Sequence, residues 1–385
     1  MEGDFIKINK WLLPVSWLYG CAVNLRNFLF DVGVLKSHSF DIPVISVGNL
    51  TVGGTGKTPH VEYLVRLLKK DNHIAVLSRG YKRKTHGFII ANEQSTAREI
   101  GDEPFQMKQK FPDITVAVDA NRVNGITQLI SQNHTIDAVL LDDAFQHRYV
   151  KPGINILLVD YHRLIIYDKM LPAGRLRESK DGKNRADIVV ITKCPKDLRP
   201  MDFRVIAKDM NLYPYQQLFF TSLDYDTPYP VFKDDAKETL TLGTLHDKHV
   251  LLLTGIASPE QLVKDLTPVA KTITPLTFPD HHDFSHKDLQ LINDTFYAMP
   301  EPKVIITTEK DAARFYSSSS SELLSKEVRS ALFALPIRIV FMLEQEEQFC
   351  QFIKSYIHKN SRNCILVKGK KREPKEENPN RIVFK

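Results

Sequence analysis

The sequence lacks paired cysteines, a membrane-spanning run in its apolar N-terminus and any repeat with a solenoid period. The N-terminal charge-free stretch, residues 11–24, is shorter than the roughly 20 residues that a spanning helix needs. The four cysteines form no C-x-x-C motif, which excludes a zinc ribbon and a thioredoxin-like site; they are Cys21, Cys194, Cys350 and Cys364. We therefore expect reduced, buried thiols and no transmembrane helix at the N-terminus.

Signals for nucleic-acid binding are also missing. The chain has no zinc-finger spacing, no interleaved aromatic and basic stripe, and no basic region that leads into heptads. Its net charge of +6 is a mildly basic balance that suits a polyanionic ligand or an acidic membrane surface. We expect no nucleic-acid partner, and we infer no obligate protein partner.

Short apolar runs alternate with helical patterns after residue 40. Runs of this unbroken kind are typical of strands buried on both faces of a parallel sheet; they are IPVISV, HIAVLSR, ITVAV, IDAVLLDD, INILLVD and ADIVVIT. A second set, HVLLLTGIA, KVIITTEKD and IRIVFM, follows a stretch rich in proline, aspartate and tyrosine. With 385 residues we expect two main domains. The predicted segments are 1–39 (apolar, helical, membrane-associated), 40–230 (doubly wound α/β domain), 231–245 (linker), 246–360 (smaller α/β domain) and 361–385 (charged tail).

A glycine-rich loop follows the first of these runs. In GNLTVGGTGKT, residues 48–58, a strand precedes the loop and a helix follows it, which is the context of a phosphate-binding P-loop. We expect Lys57 to reach the outer phosphates and the Thr58 hydroxyl to bind Mg²⁺. The standard pattern has glycine where this chain has Thr51, so the loop is a variant. The other candidate phosphate-binding residues are Gly53, Gly54, Thr55 and Gly56.

Carboxylates follow a second predicted strand and open a predicted helix. In DAVLLDDAFQH, Asp142 and Asp143 stand at a strand end, where P-loop proteins place a metal ligand. In GDEPFQ, Asp102 and Glu103 precede a proline suited to a first helical turn, so Asp102 is either an N-cap or a functional group. Together with Lys57, these carboxylates predict a P-loop NTPase-like α/β fold with a nucleotide and magnesium site.

Three further stretches each allow two interpretations. In LPAGRLRES, two arginines and Glu178 form either a phosphate and metal clamp or an ordinary surface loop. In LSRGYKRKTHGF, four cations form either a solvated loop or a site for a second anionic group or a lipid surface; they are Arg79, Lys82, Arg83 and Lys84. The apolar N-terminal segment is either a helix packed on the domain or an interfacial helix with aromatic side chains among lipid headgroups.

Taken together, the motifs resemble those of the tetraacyldisaccharide 4'-kinase family, the lipid A 4'-kinases of Gram-negative bacteria. The resemblance rests on GNLTVGGTGKTP, LSRGY, GDEP, DDAFQH, PAGRLRE and FPDHHDF, and it covers about residues 5–357. It implies transfer of the γ-phosphate of ATP, with Mg²⁺, to the 4'-hydroxyl of tetraacyldisaccharide 1-phosphate, which gives lipid IVA. It also implies a monotopic or peripheral protein at the cytoplasmic face of the inner membrane, and it identifies Thr51 as the family's own form of the loop.

The resemblance also implies roles for individual residues. Asp102 is similar to the family's catalytic aspartate and His281 to its partner histidine, which would activate the sugar hydroxyl when the two domains close. The carboxylates similar to the family's magnesium-associated groups are Asp142, Asp143 and Glu178. Those similar to its active-site polar residues are Arg122, Gln146, His147 and Arg177. The end of the strand VVITKCP would place Thr192 and Lys193 near the nucleotide base.

Two other functions share the glycine-rich loop. A P-loop switch that binds nucleotide and docks on membranes would need neither Asp102 nor His281. A soluble small-molecule kinase or an ATP-dependent ligase would have the loop but not the apolar N-terminus.

Overall fold

The computed structural model describes residues 6, 8–235, 239–256, 259–279, 282, 284–317 and 323–361. The predicted catalytic histidine, His281, lies outside this set, as does the predicted charged tail from residue 362 onward.

The described strands form two sheets. In chain order they are β1 (Val44–Asn49), β2 (Ile74–Ser78), β3 (Ile89–Ile90), β4 (Thr115–Val118), β5 (Ala138–Asp142), β6 (Ile154–Asp160), β7 (Ile188–Thr192), β8 (Gln217–Tyr225), β9 (Tyr229–Pro230), β10 (His249–Thr254), β11 (Thr272–Thr277), β12 (Lys303–Thr308), β13 (Leu332–Leu335) and β14 (Ile337–Phe341).

Helices connect these strands and cover the sheets. The described helices are α1 (Leu13–Asp31), α2 (Lys57–Leu68), α3 (Ala97–Ile100), α4 (Asp102–Lys110), α5 (Arg122–Gln132), α6 (Pro200–Met210), α7 (Glu260–Leu266), α8 (His286–Ala298), α9 (Glu309–Ser317), α10 (Lys326–Ser330) and α11 (Glu346–Asn360).

The larger sheet has the strand order β14-β8-β7-β6-β1-β5-β2-β4-β3. Its inner strands pair in parallel, whereas β3 and β14 at the two edges are antiparallel to their neighbours. Strands β1, β2 and β5 are buried along their whole length. Because unbroken apolar runs are what a sheet covered on both faces requires, the sequence-based α/β prediction is confirmed.

The chain reverses its direction across this sheet at β1. From β1 the chain crosses to β2, and β5 later fills the place between them, while β6, β7 and β8 extend the sheet on the other side. In open parallel sheets, ligands bind beyond the carboxyl ends of the strands at such a reversal. The ends of β1 and β5 therefore mark the expected position of a site.

The smaller sheet has the order β11-β10-β12-β13-β9, with β9 antiparallel to β13 and the other pairs parallel. Successive residues of β10 enter different apolar clusters, since Leu251 packs with Phe315 and Leu252 packs with Phe333. Alternation of this kind means that the sheet is covered on both faces.

The last described strand and helix return to the larger sheet. The sequence groups IRIVFM with the second set of strands, and this is wrong, because β14 pairs with β8 and places Ile339 opposite Leu223. Phe341 is buried against Phe219 and against Phe349 of α11. Strand β14 is covered on only one face, so its residues alternate between buried and exposed positions. That pattern fits an edge strand of either sheet, which is why the sequence did not show to which sheet β14 belongs.

Helix α1 packs one face against the larger-sheet domain. Its buried residues are Ser16, Gly20 and Phe30, and a side chain at Gly20 would approach the sulfur of Met170 to 3.2 Å. On the outside, Trp17 is 69% exposed, and Leu18, Leu25 and Phe28 are each more than half exposed. None of the helices in the described part of the chain is both long enough and apolar enough to cross a membrane.

Candidate active site

The glycine-rich loop joins β1 to α2 at the carboxyl edge of the larger sheet. Gly53 and Gly56 have φ values of +123° and +80°, which residues with side chains rarely adopt. Gly56 directly precedes α2, so the loop ends at the unpaired amides of the first helical turn. Backbone amides and the helix dipole together make this position suited to a phosphate.

Thr51, the residue that departs from the standard loop, forms a short bridge. It is buried and pairs antiparallel with Leu176, while the amide of Val52 donates to the carbonyl of Arg175 at 2.8 Å. Extended pairing suits β-branched threonine better than glycine. The bridge also fixes the PAGRLRE segment beside the loop.

Side chains at the ends of strands β1 and β7 form hydrogen bonds with the phosphate loop. The Asn49 side chain donates to the Thr55 hydroxyl at 2.9 Å, and the Thr192 hydroxyl donates to the Thr55 carbonyl at 3.0 Å. The ammonium of Lys193 donates to the Gly54 carbonyl. Thr192 and Lys193 therefore contact the backbone of the phosphate loop, and their predicted place near the base stays a prediction.

Sequence reasoning missed His60, in the first turns of α2. Its Nδ1 lies 2.7 Å from the Gly56 carbonyl and its Nε2 lies 3.1 Å from the Thr221 hydroxyl. Burial lowers the pKa of His60 to about 4, so the ring is neutral at pH 7. A neutral ring can donate to Gly56 and accept from Thr221. The only available signal was its place in GKTPH, three residues after the loop lysine.

Lys57 faces a carboxylate at the end of β5. Its ammonium is 3.6 Å from Asp143, and Arg177 Nη1 is 3.3 Å from both oxygens of the same carboxylate. Burial alone would raise the pKa of Asp143, but the charges of Lys57 and Arg177 outweigh it and lower the pKa. The structure thus brings together three predicted site residues from three separate motifs.

Asp142 lies deeper than Asp143. Burial and the neighbouring Asp143 charge raise the pKa of Asp142. Its Oδ2 accepts from the Ser78 hydroxyl at 3.4 Å, while its buried Oδ1 has no hydrogen-bond partner among the described residues. A buried carboxylate oxygen without a donor is costly unless a ligand or water completes the site.

Arg122 lies behind these carboxylates at the start of α5. It is 2% exposed and donates to the Asp119 carbonyl at 2.6 Å and to the Asp142 carbonyl at 3.1 Å. Burial lowers the pKa of Arg122 to about 10, so the side chain keeps its charge at pH 7. Its positive charge therefore stabilises the acidic end of β5.

Glu103, in the first turn of α4, interacts with the same cluster. Burial, followed by the charges of Asp142 and Asp143, raises the pKa of Glu103 to about 7, although Lys57 acts in the opposite direction. A carboxyl group with a pKa near neutrality can exchange protons at working pH. The sequence identified Glu103 only as the neighbour of Asp102.

Gln146 and His147 connect the site to helix α1. The side-chain amide of Gln146 donates to the Asn49 carbonyl and accepts from Arg177 at 3.3 Å. The backbone carbonyl of Gln146 accepts from Arg26 of α1 at 3.2 Å. Burial and nearby arginines lower the pKa of His147 to about 4. Its buried Nε2 has no hydrogen-bond partner within the described ranges, so a neutral ring atom is free for a ligand.

Glu178 is placed differently from the other predicted metal ligands. Its Oε2 accepts from Asn27 of α1 and from Arg185, each at 2.9 Å. Its carboxylate therefore faces α1 and Arg185, and its magnesium role stays a prediction. The contact with helix α1 could not be foreseen from the sequence, because Asn27 and Glu178 are 151 positions apart.

Asp102 begins α4, where the two sheets meet. The N-cap interpretation is wrong, because Gly101 occupies the cap position and Asp102 is the first helical residue. The Asp102 carboxylate lies 3.2 Å from Nη2 of Arg314 in α9. Arg314 belongs to the smaller-sheet unit, so this ion pair joins the two halves of the molecule.

The donor set at β5 fits Mg²⁺ held together with phosphates. Among the described residues, no group of three or more His, Cys, Asp or Glu side chains could hold a metal by itself. Magnesium at nucleotide sites needs only one or two carboxylates, since phosphate oxygens and waters supply the other ligands. The partnerless Asp142 oxygen matches that requirement, and Thr58 lies in the first turn of α2, directly after the loop lysine.

A phosphate loop on the central strand, with carboxylates at the end of the adjacent strand, defines the P-loop class of nucleotide-binding α/β proteins. The family model described as tetraacyldisaccharide-1-P 4'-kinase matches residues 8–358. The chain therefore belongs to the tetraacyldisaccharide 4'-kinase family, as its motifs predict.

Relatives and one solved structure agree with this assignment. A tetraacyldisaccharide 4'-kinase from Phocaeicola vulgatus is 57% identical over 367 residues, which are 94% of this chain and 99% of that protein. One from Flavobacterium johnsoniae is 49% identical over 353 residues, 92% and 98% of the two chains. The crystal structure of LpxK from Aquifex aeolicus in complex with ATP is 30% identical, has a TM-score of 0.70, and covers 90% of this chain and 98% of its own.

Proposed function

We propose that this protein transfers the γ-phosphate of ATP to the 4'-hydroxyl of a tetraacylated glucosamine disaccharide 1-phosphate. The observation that carries the proposal is the approach of Lys57 to Asp143 at 3.6 Å, with the P-loop of β1 directly beside the acidic end of β5. This arrangement supports nucleotide phosphates and their metal in kinases of the P-loop class.

The phosphate loop has a clear set of roles. Its amides and Lys57 would hold the β- and γ-phosphates of ATP in line with the acceptor. Thr58, Asp142 and Asp143 would hold Mg²⁺, which would neutralise the charge that develops on the transferred group. Arg177, which is 3.3 Å from Asp143, would hold that carboxylate in place and add positive charge.

Asp102 is the proposed base for the sugar hydroxyl. Its side chain is 26% exposed at the junction of the two sheets, so a substrate can reach it. Proton acceptance by a placed carboxylate as the P–O bond forms is the expected chemistry. His281 is proposed as its partner, and closure of the two domains would bring both to the acceptor.

The remaining polar residues are proposed to orient the acceptor. The neutral ring of His147 would offer its Nε2 to a sugar hydroxyl, and Gln146, whose amide accepts from Arg177, would hold that arginine beside the acceptor. Arg122 would act from behind Asp142, and Glu178 would fix α1 against the site.

The outer face of α1 is proposed to rest in the cytoplasmic leaflet of the inner membrane. Trp17 of α1 is 69% exposed, and Trp11, in the 3-10 turn Lys10–Leu12 just before α1, is 93% exposed. Amphipathic rings of this kind favour the lipid interface. Because the inner face of the same helix contacts Gln146 and Glu178, a lipid acceptor in the leaflet would lie close to the phosphate loop.

The proposal is tested by incubating the protein with γ-labelled ATP and tetraacyldisaccharide 1-phosphate in detergent micelles, with and without Mg²⁺. We expect label in a doubly phosphorylated lipid only when Mg²⁺ is present. A folded protein that binds ATP and transfers no label would favour the membrane-docking switch instead.

Replacement of Asp102 by alanine tests the catalytic assignment. We expect the rate of transfer to fall by about 10²–10⁴-fold, since that is the usual contribution of a positioned general base. ATP affinity, measured by calorimetry, should stay within about threefold, because the phosphate loop is untouched. Unchanged lipid phosphorylation would contradict the role of Asp102.

A further inference from the structure

Arg314 lies behind Asp102, on the side away from solvent. Its side chain is 4% exposed, whereas that of Asp102 is 26% exposed. A substrate that reaches the Asp102 carboxylate therefore has no access to the guanidinium. Arg314 is therefore placed to act on the reaction indirectly, through groups that it contacts such as Asp102.

The guanidinium of Arg314 holds partners from two halves of the molecule. Its Nη2 lies 3.2 Å from Asp102, while its Nη1 donates to Asp311 at 2.9 Å and lies 3.5 Å from the carbonyl of His282. Asp311 is in turn held by the Gly255 amide at 2.8 Å and by the Thr308 hydroxyl at 2.7 Å.

Such an arrangement fixes the direction of the arginine fork. Asp311 is fully buried and is anchored to the smaller sheet. Its ion pair with Nη1 therefore fixes the orientation of the Arg314 guanidinium, whose Nη2 contacts Asp102. A planar guanidinium with two engaged arms has little freedom to rotate, unlike an ammonium group. The carbonyl of His282 also ties Arg314 to the chain segment that carries the proposed partner histidine.

We propose that Arg314 is a positioning residue that orients the Asp102 carboxylate toward the acceptor hydroxyl. The inference rests on the proposed function, in which Asp102 is the base. Asp102 belongs to the larger-sheet unit, whereas Arg314, which holds it, belongs to the smaller-sheet unit. Through this contact the smaller-sheet unit completes the site.

The alternative hypothesis is that the Asp102–Arg314 ion pair only stabilises the contact between α4 and α9. A second ion pair between the same two helices provides a control. At the other end of α4, Lys110 lies 2.6 Å from Glu309, the first residue of α9. Lys110→Gln weakens the α4–α9 contact without touching Asp102. Arg314→Gln makes the same change of a cation to an amide at the Asp102 end.

The test measures kcat, KM for the lipid acceptor and the dissociation constant of ATP for three variants, Arg314→Gln, Lys110→Gln and Arg314→Lys, at a temperature where circular dichroism shows them folded. We expect Arg314→Gln to lower kcat by about 10–100-fold with both binding constants within about threefold, since misplacement of a reacting group costs rate more than binding. Lys110→Gln should lower kcat by less than about threefold. Arg314→Lys should fall between, because one ammonium cannot serve both carboxylates.

A second comparison separates the hypothesis that Asp102 is the base from the hypothesis that Arg314 positions it. In the Asp102→Ala background, Arg314→Gln should have almost no further effect, because the group that it positions is gone. If Asp102→Ala is fully active, the proposed base is wrong and the inference fails with it. If Asp102→Ala is inactive but Arg314→Gln matches Lys110→Gln in kcat, the positioning role alone is overturned.

Discussion

His60 shows how one buried side chain can control the phosphate loop. Its ring connects the carbonyl of Gly56, the last loop residue, to Thr221 on β8. In the unfolded chain the ring takes up a proton near its ordinary pKa of 6.5, whereas in the folded protein its pKa is about 4. Acid therefore favours the unfolded state, and stability falls as the pH drops from 6.5 toward 4.

His60→Phe tests this linkage. For the unchanged protein, the His60 contribution to the free energy of unfolding should fall by about 2 kcal/mol between pH 7 and pH 5. The variant should be less stable at pH 7 by about 1–3 kcal/mol, because Gly56 and Thr221 lose their partner. It should not show this acid-dependent loss, so urea unfolding curves of the two proteins should converge at pH 5.

Thr221→Val is the control for the His60 prediction. It removes the hydroxyl partner but keeps the buried ring, so the loss of stability in acid should remain. If His60→Phe retains the full acid dependence, another group is responsible for it.

Residue identities in the site were predictable wherever a motif adjoined a predicted strand. Lys57 and Asp143 follow two such strands, and the structure brings them together. Arg314 and His60 carry no motif, because their roles depend on which distant residues they meet. Contacts such as Arg314 with Asp102, 212 positions apart, come from tertiary packing that local patterns do not encode.

Helix α1 has an inner face that contacts the candidate site and an outer face that is exposed. Its inner face donates from Asn27 to Glu178 and from Arg26 to Gln146, while its outer face exposes large apolar side chains. Deletion of the helix would therefore remove the support of the site and the proposed membrane contact together. Substitutions on one face at a time separate membrane contact from support of the site.

Replacement of Trp17, Leu18 and Phe28 by serine tests the outer face. Each side chain buried in lipid is worth about 1.5–3 kcal/mol, so binding to vesicles that contain anionic phospholipid should weaken by more than about tenfold. Binding of ATP should not change, because these side chains are more than half exposed and face away from the loop. Vesicle co-sedimentation and calorimetry give the two readings.

Asn27→Ala is the matched change on the inner face of α1. It should keep vesicle binding and lower the rate of lipid phosphorylation, since Glu178 loses one donor. Full vesicle binding by the serine variant would contradict a membrane role for the outer face.

Among the elements, the parallel strands of the larger sheet were predictable because their unbroken apolar runs have one simple explanation. Strand β14 was not, because an edge strand with alternating exposure fits either sheet. Its partner is chosen by aromatic packing of Phe341 with Phe219 and Phe349. This choice depends on Phe219, which lies more than 100 positions before Phe341 and so falls outside any local sequence window.

At the scale of the whole molecule, the two sheets are joined by charged groups at both ends of α4. Asp102 meets Arg314 at one end, and at the other end Lys110 lies 2.6 Å from both Glu62 of α2 and Glu309 of α9. Burial and the charge of Glu309 raise the pKa of Glu62, while Lys110 acts in the opposite direction. One lysine thus holds two buried carboxylates from different halves of the protein.

Lys110→Gln leaves those two carboxylates together without the cation that they share, and only the Arg66 contact with Glu62 at 3.3 Å is kept among the described ion pairs of the two groups. Near pH 8 we expect the free energy of unfolding to fall by about 3–5 kcal/mol, the usual cost of an uncompensated buried charge. Because the folded pKa of Glu62 is raised above its ordinary 4.5, the folded protein binds a proton that the unfolded chain does not. Part of the loss should therefore be recovered as the pH falls, because the Glu62 carboxyl takes up its proton at a higher pH in the folded protein than in the unfolded chain.

Urea unfolding near pH 8 and pH 5.5 measures this recovery, with Lys69→Gln as the control. Lys69 pairs with Asp113 at 3.0 Å at the surface, where an ion pair contributes at most about 1 kcal/mol, so this variant should change stability little. An equal loss for Lys110→Gln at both pH values would mean that protonation of Glu62 does not compensate for the missing lysine. A recovery at low pH would instead show that the contact between the two halves is held by charge, and that acid can replace its lysine.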